Sequence, residues 1–428
     1  MKKIVNDIIR EELYYEKLEN GLDVYYMPKK GFTKKYAVLA TNYGSNELEF
    51  IPIGEDKKFR VNEGIAHFLE HKMFEQPDGG NAFDKFSKLG SNANASTNFT
   101  MTSYLFTATE NFYESLDHLI KYVQTPYFTD ENVEKEKGII AQEIKMYDDD
   151  PNWKVYFNCL KGMYVNHPVR IDIAGTVESI YKITSEELYK CYNTFYNPGN
   201  MALFVIGDLD PDKIMEVVEN ANNFDVEKLN SEIVRFYPEE PTHINEKEIV
   251  EKFPISMPSF CMGFKDDKVG IEGRELLKKE VVTDILLDQI FNKGSELYEE
   301  LYNSGDINDS FGSAFSSQID YGYTIVVGES NDPKKVQNAV FEYIDKVKEQ
   351  GLSEEDFNRI KKKKLGQVIK SFDSIITIAN NFISNKFKGI NMLDYLDVIK
   401  EVKFEDVSDR LKNHLKEEFS VMSIVEPK

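Results

Sequence analysis

An order of strand-like and helix-like segments occurs twice along this chain, and the repetition limits the possible folds more than any other property of the sequence. Strand signals are alternating β-branched and aromatic residues, and helix signals are apolar residues every three to four positions. The first copy covers 22–27, 36–42, 63–74, 91–107, 112–123 and 129–147, and the second covers 259–264, 275–291, 310–328 and 333–350. We therefore predict an α+β fold of two homologous domains, each a mainly antiparallel sheet packed with helices.

The boundary between the two copies is predicted at 237–247, where proline and glutamate replace the periodic apolar pattern. It divides the 428 residues into an N-terminal metal-bearing domain, 1–236, and a C-terminal homologous domain, 248–428. Both have an ordinary domain size. The histidine motif at 67–71 has no counterpart in the second sequence copy, so we expect that copy to lack a metal site.

Charge and composition argue against several classes of function. The formal net charge of −22 predicts a surface that repels nucleic acid and anionic membranes. No run approaches the roughly 18 apolar residues of a membrane span, and acidic residues interrupt the N-terminal segment that a signal peptide would keep apolar. Three cysteines without metal-ligand spacing are typical of free thiols in a reducing compartment. We expect a cytoplasmic protein with no nucleic-acid or membrane partner.

The segment from His67 to His71 carries the clearest chemical signal. Its two histidines are four residues apart on a predicted helix, so their Cβ atoms lie about 5–6 Å apart on one face and the side chains can share a zinc ion. Glu70 lies on that face and can reach a water on the ion as a general base. This order is the inverzincin signature of zinc peptidases. With 6 histidines in the chain, a shuffled sequence would contain it about once in a hundred trials, which makes a chance pair a weak alternative.

A third zinc ligand must come from elsewhere, because a catalytic zinc takes three protein ligands and keeps one position for water. Glu143 is the best candidate. Glu136 lies two turns earlier on the same helix face, where it would orient a ligand or hold a proton. A metal would also offset the cost of burying two carboxylates. Without the histidine motif, the same pair would indicate an ordinary solvated helix face.

Two stretches of the chain resemble the pitrilysin/insulinase family of zinc peptidases, which includes the mitochondrial processing peptidases. They are 64–74, around the histidine motif, and 136–144, around the third candidate ligand. The segment 170–180 is similar to the bacterial YmfH-like, mitochondrial-processing-peptidase-like branch of the family, and the likeness covers nearly the whole chain.

The resemblance implies one Zn²⁺ per chain on His67, His71 and Glu143, with Glu70 as general base and Glu136 as an assisting carboxylate. It also implies half of a clamshell that closes around unfolded peptides, since full-length members carry four such domains and this chain has two. A homodimer, or a heterodimer with a homologous subunit, would complete the chamber.

Two regions are expected to contact the peptide substrate. Asn94, Ala95 and Thr97 resemble the edge strand on which the family lays its substrate, where an extended peptide can add through backbone hydrogen bonds. The alternative is an ordinary interior strand. Many family members also place an arginine and a tyrosine of the later half against the substrate. Tyr302 stands where the arginine is usual, and the tyrosine position is not clearly filled.

The sequence therefore predicts a zinc metalloendopeptidase that hydrolyses short or unfolded peptides in a closed chamber and acts in peptide processing. The alternative is a non-catalytic or partner-dependent peptide-binding subunit of a heterodimeric processing peptidase, because the usual arginine and tyrosine are not both present. The intact Glu70 favours the enzyme, since a purely structural zinc site needs no such carboxylate.

Overall fold

The protein was analysed as a computed structural model, which describes residues 1–6, 10–222 and 232–428. The chain forms two compact units, each assembled from segments that are separate in sequence. The first unit comprises Met1–Lys145, Asp172–Tyr237 and Ser371–Ser384, and the second comprises Met146–Ile171, Pro238–Lys370 and Asn385–Lys428. A search of the described helices finds none with the length and apolar character needed to cross a membrane.

The first unit contains one large sheet, a short hairpin and the helices that pack around them. Its strands are β1 (Lys2–Asn6), β2 (Glu11–Lys17), β3 (Asp23–Pro28), β4 (Lys35–Thr41), β5 (Glu49–Phe50), β6 (Phe59–Arg60), β7 (Asn92–Thr97), β8 (Thr102–Ala108) and β9 (Met201–Gly207). The helices that lie wholly or mostly in it are α1 (Ile65–Lys72), α2 (Ala82–Lys88), α3 (Phe112–Val123), α4 (Asp130–Asp148), α6 (Val177–Ile180), α7 (Ser185–Phe195), α8 (Pro211–Ala221) and α13 (Ile375–Lys386).

The large sheet of the first unit has the order β1-β2-β3-β9-β4-β8-β7 among the described residues. Strands β3 and β9 run parallel, and the other neighbours are antiparallel. The central strand β9, with the sequence MALFVIG, is buried along its whole length, and α3 packs on β4 and β8. Strand β7 is an edge strand that pairs with β8 on one side.

The second unit repeats this plan with a smaller sheet. Its elements are α5 (Pro151–Met163), β10 (Glu248–Phe253), β11 (Ser259–Lys265), α9 (Gly273–Phe291), α10 (Glu296–Asn303), β12 (Gly312–Ser317), β13 (Gly322–Glu329), α11 (Pro333–Gln350), α12 (Glu354–Ser371), α14 (Tyr395–Glu401), α15 (Phe404–Asn413) and β14 (Ser420–Pro427). The sheet order is β10-β14-β11-β13-β12, with β10 and β14 parallel and the other neighbours antiparallel.

The α+β class and the repeated order of elements are confirmed. The run β3-β9-β4-β8-β7 corresponds strand for strand to β10-β14-β11-β13-β12, and the parallel pair stands at the same place in both. The domain boundaries remain a prediction about the two sequence copies: 1–236, the linker 237–247, and 248–428. The compact units do not follow continuous ranges, because α5 packs on β11 and β14, and Phe382 of α13 packs on Tyr25 and Phe204 of the first sheet.

The start of α1 is fixed by Gly64. Its φ is 85°, a left-handed conformation that residues with a Cβ adopt at a cost. A Cβ at this position would also lie 2.3 Å from the carbonyl oxygen of Ala174, far inside contact distance. Glycine therefore allows the chain to enter α1 directly beneath the Ala174–Gly175 backbone, and this sets the orientation of the helix that carries the histidine motif.

Replacing Gly64 with alanine is expected to destabilise the first unit by more than about 2 kcal/mol, because backbone strain and the clash with Ala174 act together. Urea unfolding followed by circular dichroism would measure the loss. Gly138→Ala is the matched control. A Cβ on Gly138, in the middle of α4, meets nothing within 4 Å, and alanine there should stabilise the helix by up to about 1 kcal/mol. Equal midpoints for the two variants would contradict this account of Gly64.

Candidate metal centre

Helix α1 is anchored by one apolar face. Ile65, Ala66, Phe68 and Leu69 are buried, and the helix packs on β7, β8 and α7. His67 and His71 lie one helical turn apart, with ring centroids separated by 4.6 Å. The predicted helix is thus present, and both imidazoles leave it on the same side.

Helix α4 brings the two glutamates to α1. It begins after Thr129, whose hydroxyl accepts the backbone N–H of Asn132 while the Asn132 side chain accepts the backbone N–H of Thr129. This reciprocal cap closes the first turn of the helix. Val133, Ile140 and Ile144 are buried. Glu136 and Glu143 are seven residues apart and lie beside that apolar face.

His67, His71 and Glu143 come together at one point. The Nε2 atom of His67 lies 3.7 Å from Oε1 of Glu143, and Nε2 of His71 lies 3.4 Å from Oε2 of the same carboxylate. One ligand atom from each residue falls within 4.8 Å of the other two. In the part of the chain that the structure describes, these three residues form the one group of at least three histidine, cysteine, aspartate or glutamate side chains that could hold a metal ion.

These distances fit a zinc ion. A tetrahedral ion with bonds of about 2.0–2.1 Å holds neighbouring ligand atoms about 3.3–3.4 Å apart. The His71–Glu143 distance is 3.4 Å, and the His67–Glu143 distance is 3.7 Å. Two imidazoles and one carboxylate are also a typical donor set of catalytic zinc, and three ligands leave a position for water. All three side chains are half-buried, so solvent reaches the site.

Glu136 holds the ring of His71. Its Oε1 atom lies 3.1 Å from Nδ1 of His71, which leaves Nε2 directed at Glu143. A carboxylate in this position fixes the tautomer and orientation of a ligating imidazole. His67 has no such support, since its Nδ1 is buried without a hydrogen-bond partner among the described residues. The role predicted for Glu136 remains a prediction, and its contact with His71 is the geometry that this role requires.

The two histidines have opposite pKa shifts. Burial lowers the pKa of His67 to about 4, and the neighbouring His71 acts in the same direction. Burial also acts to lower the pKa of His71, but hydrogen bonds with Glu136 and Glu143 outweigh it and raise the value to about 9. His71 without zinc is therefore an imidazolium that neutralises part of the negative charge of the two glutamates. Zinc binding would release that proton.

Glu70 is buried beneath this group. Its Oε2 atom accepts a hydrogen bond of 2.6 Å from the hydroxyl of Thr97, on the edge strand β7. Burial raises the pKa of the Glu70 carboxyl above its ordinary value. The residue is only 7% exposed.

The predicted substrate residues lie in two places. Asn94, Ala95 and Thr97 are all on β7, whose outer edge is unpaired among the described residues. This edge position argues against the interior-strand alternative. The backbone N–H of Ala95 donates to the side chain of Asn94, so it points away from β8 and toward the open edge. Tyr302 lies on α10 of the second unit, is 46% exposed, and stacks on Tyr298.

Sequence reasoning missed Lys72. This lysine is buried at the end of α1, where its ammonium group donates to the backbone carbonyl of Asn132 at 3.2 Å and lies 3.8 Å from Oε2 of Glu136. It also pairs with Glu75. A cation here stabilises Glu136 in its charged form and ties α1 to the first turn of α4. In the sequence, the one indication of this role is that Lys72 falls on the apolar side of the short helix α1.

Removing the Glu136 carboxylate charge is expected to weaken zinc binding by about 10- to 100-fold, the usual effect of losing an outer-shell partner of a ligating histidine. Competition with a fluorescent zinc chelator would measure Kd for the wild type and Glu136→Gln. Glu134→Gln, on the exposed side of the same helix turn, serves as the control and should bind zinc like the wild type. An unchanged Kd in Glu136→Gln would show that His71 needs no charged partner at Nδ1.

Two family models match the chain. Residues 50–177 match the model described as insulinase, peptidase family M16. Residues 182–364 match the model described as the peptidase M16 inactive domain. The metal-site histidines and both α4 glutamates fall within the first matched range.

Two relatives match over nearly the full length of both chains, and a third is a longer protein. The uncharacterized zinc protease YmfH of Bacillus subtilis is 41% identical over 428 residues, which is 100% of both chains. The crystal structure of an M16-like peptidase from Alicyclobacillus acidocaldarius superimposes with a TM-score of 0.93 at 37% identity, covering 98% of this chain and 99% of that one. Pitrilysin has the same fold, with a TM-score of 0.78 at 16% identity over 100% of this chain and 46% of its own.

Proposed function

The chain belongs to the insulinase family of peptidases, family M16, and from that membership we propose that it is a zinc metallopeptidase acting on short or unfolded peptides. The resemblance found in the sequence is thereby confirmed at the level of the family. The observation that carries the proposal is the convergence of His67, His71 and Glu143 beside a buried Glu70.

Zinc bound by His67, His71 and Glu143 would polarise the scissile carbonyl and lower the pKa of a water to about 7. Glu70 would take the proton of the attacking water and deliver it to the leaving amine. Its raised pKa suits a group that must hold a proton between these two steps. Glu136 keeps the His71 ring oriented throughout, because its contact is with Nδ1 rather than Nε2.

The edge strand β7 supports a preference for extended peptides. The N–H of Ala95 faces the open edge, where it donates to the Asn94 side chain. An arriving peptide strand can replace that carboxamide with a backbone carbonyl, and each further residue pair adds hydrogen bonds that do not depend on side-chain identity. Most strands of a folded protein are already paired, whereas a short or unfolded peptide has a free backbone, so the edge favours short or unfolded peptides as substrates.

The complete enzyme is proposed to be a dimer. This chain aligns with 46% of the pitrilysin chain, so two copies, or one copy and a homologous subunit, have the length of that single chain. Tyr302 would then serve as the substrate-contacting residue that a partner supplies. The three cysteines are free and buried, which fits a cytoplasmic location.

The second candidate function is a peptide-binding subunit that needs a partner for turnover. The observation that favours it is Tyr302, which stands where many members of the family carry an arginine. A missing cation would weaken the stabilisation of the oxyanion, an effect often worth several kcal/mol. This subunit would bind zinc and peptide as well as an active enzyme does.

A quenched fluorescent peptide of unstructured sequence tests the proposal on the purified full chain. We expect turnover that disappears when a chelator removes zinc and returns when zinc is added back. Gel filtration of the same sample gives the oligomeric state. Zinc-loaded protein that binds the peptide but never cleaves it, and gains activity with a homologous subunit, would support the second function. No turnover under either condition would refute the peptidase assignment.

A further inference from the structure

We infer that Thr97 positions the general base Glu70 and connects it to the peptide-binding edge, an inference that rests on the proposed function. The sequence suggested Thr97 as a substrate contact. Its side chain instead turns inward to Glu70, so the hydroxyl holds the base and the backbone is the part of Thr97 that can bind the peptide.

The hydrogen bond itself is the first observation. The hydroxyl of Thr97 donates to Oε2 of Glu70 at 2.6 Å. That length falls in the range of about 2.5–2.7 Å that is usual for a hydroxyl bonded to a carboxylate, and such bonds are roughly twice as strong as neutral ones. Because Glu70 is almost fully buried, this bond restricts the carboxylate to one rotamer at the place where it must meet a water.

The direction of the bond is fixed by its neighbours. Thr102, opposite Thr97 on β8, donates its hydroxyl proton to the carbonyl of Tyr43 at 2.9 Å. The two threonine hydroxyls are 3.3 Å apart. An ionised carboxylate can only accept, so the Thr97 hydroxyl donates to Glu70 at 2.6 Å rather than to the more distant Thr102 hydroxyl. A valine at position 97 would keep the shape of the side chain and lose only this proton and its oxygen.

The backbone of Thr97 belongs to the open edge. In a strand paired on one side, alternate residues turn their N–H and C=O groups to the same side. Ala95 turns its N–H to the open edge, so Thr97, two residues later, does the same. One residue therefore contacts the base with its hydroxyl and offers its backbone to a docking peptide. Because Thr97 is part of β7, the strand that receives the peptide also fixes the position of the Glu70 carboxylate.

Steady-state kinetics of full-length variants test this role. In Thr97→Val we expect kcat to fall about 10- to 100-fold, as for a misplaced catalytic group, with KM unchanged because the backbone edge is intact. Thr97→Ser should recover most of kcat. Ser96→Ala is the matched control, since Ser96 lies on the opposite face of β7, where its hydroxyl is 3.0 Å from that of Ser103. It should retain wild-type kcat and KM.

A second readout does not depend on turnover. Crystal structures of Thr97→Val and Thr97→Ser should show the Glu70 carboxylate displaced in the first and in place in the second, with equal zinc affinities in both. A higher KM with unchanged kcat in Thr97→Val would make Thr97 a substrate contact and overturn the inference. An undisplaced Glu70 in that variant would overturn it as well. A wild type without zinc-dependent turnover would refute the proposed function, while the Glu70 position would still decide the role of Thr97.

Discussion

Glu70→Gln is expected to lose about 10²- to 10⁴-fold in kcat, the usual contribution of a general acid–base group, while its zinc content stays at one ion per chain. Glutamine has the shape of glutamate, and its amide oxygen can still accept the Thr97 hydroxyl. It cannot take a proton from water. The substitution therefore removes proton transfer and leaves the His67–His71–Glu143 group as it is.

The assay is turnover of the quenched peptide, with zinc measured on the same preparation by elemental analysis. Glu63→Gln provides the control, because it makes the same chemical change just before α1 at a half-buried side chain outside the metal group. It should keep wild-type turnover. Full activity in a zinc-loaded Glu70→Gln protein would mean that another group takes the proton, and the assignment of the base would be wrong.

Glu143→Gln is expected to weaken zinc binding by more than the roughly 10- to 100-fold effect of losing an outer-shell partner, because a direct ligand is removed. The loss should also appear in stability. Zinc at a thousand times its Kd stabilises a folded protein by about 4.1 kcal/mol, so added zinc should raise the Tm of the wild type. In the variant, a Kd weakened 100-fold or more leaves at most about 1.4 kcal/mol of stabilisation at the same zinc concentration, so Tm should rise much less than in the wild type, and peptide turnover should be lost.

Glu131→Gln is the control for this variant, since Glu131 is an exposed residue in the first turn of the same helix. Its Tm should rise with zinc as in the wild type. Differential scanning calorimetry with and without zinc measures both variants. If Glu143→Gln bound zinc with wild-type affinity, the third ligand would be a different group, and α4 would have no direct part in the site.

The local parts of the site were predictable because they depend on helical spacing. His67 and His71 lie on one face of α1 because they are four residues apart. Glu136 and Glu143 lie on one face of α4 because they are seven residues apart. The Thr129 cap fixed the beginning of α4 in the same way. A zinc ion held by two histidines requires a third ligand, and with Glu143 as the best candidate, α4 is expected to lie close to α1.

Other features depend on tertiary contacts that no periodic pattern contains. Lys72 reads as an ordinary charged residue until α4 is seen to supply a carbonyl and a carboxylate around it. The edge strand predicts a substrate contact for Thr97, and the pattern alone does not reveal that strand alternation turns its side chain to Glu70. The helix α5 follows α4 in sequence, yet it packs on the sheet of the second unit, and the sequence pattern does not say on which sheet a helix packs.

The most direct test of the central claim is a crystal structure of the zinc-loaded protein with anomalous data collected at the zinc edge. We expect one anomalous peak per chain, about 2.0–2.1 Å from Nε2 of His67, Nε2 of His71 and a carboxylate oxygen of Glu143. A peak bound elsewhere, or one held by the two histidines with Glu143 turned away, would contradict this expectation.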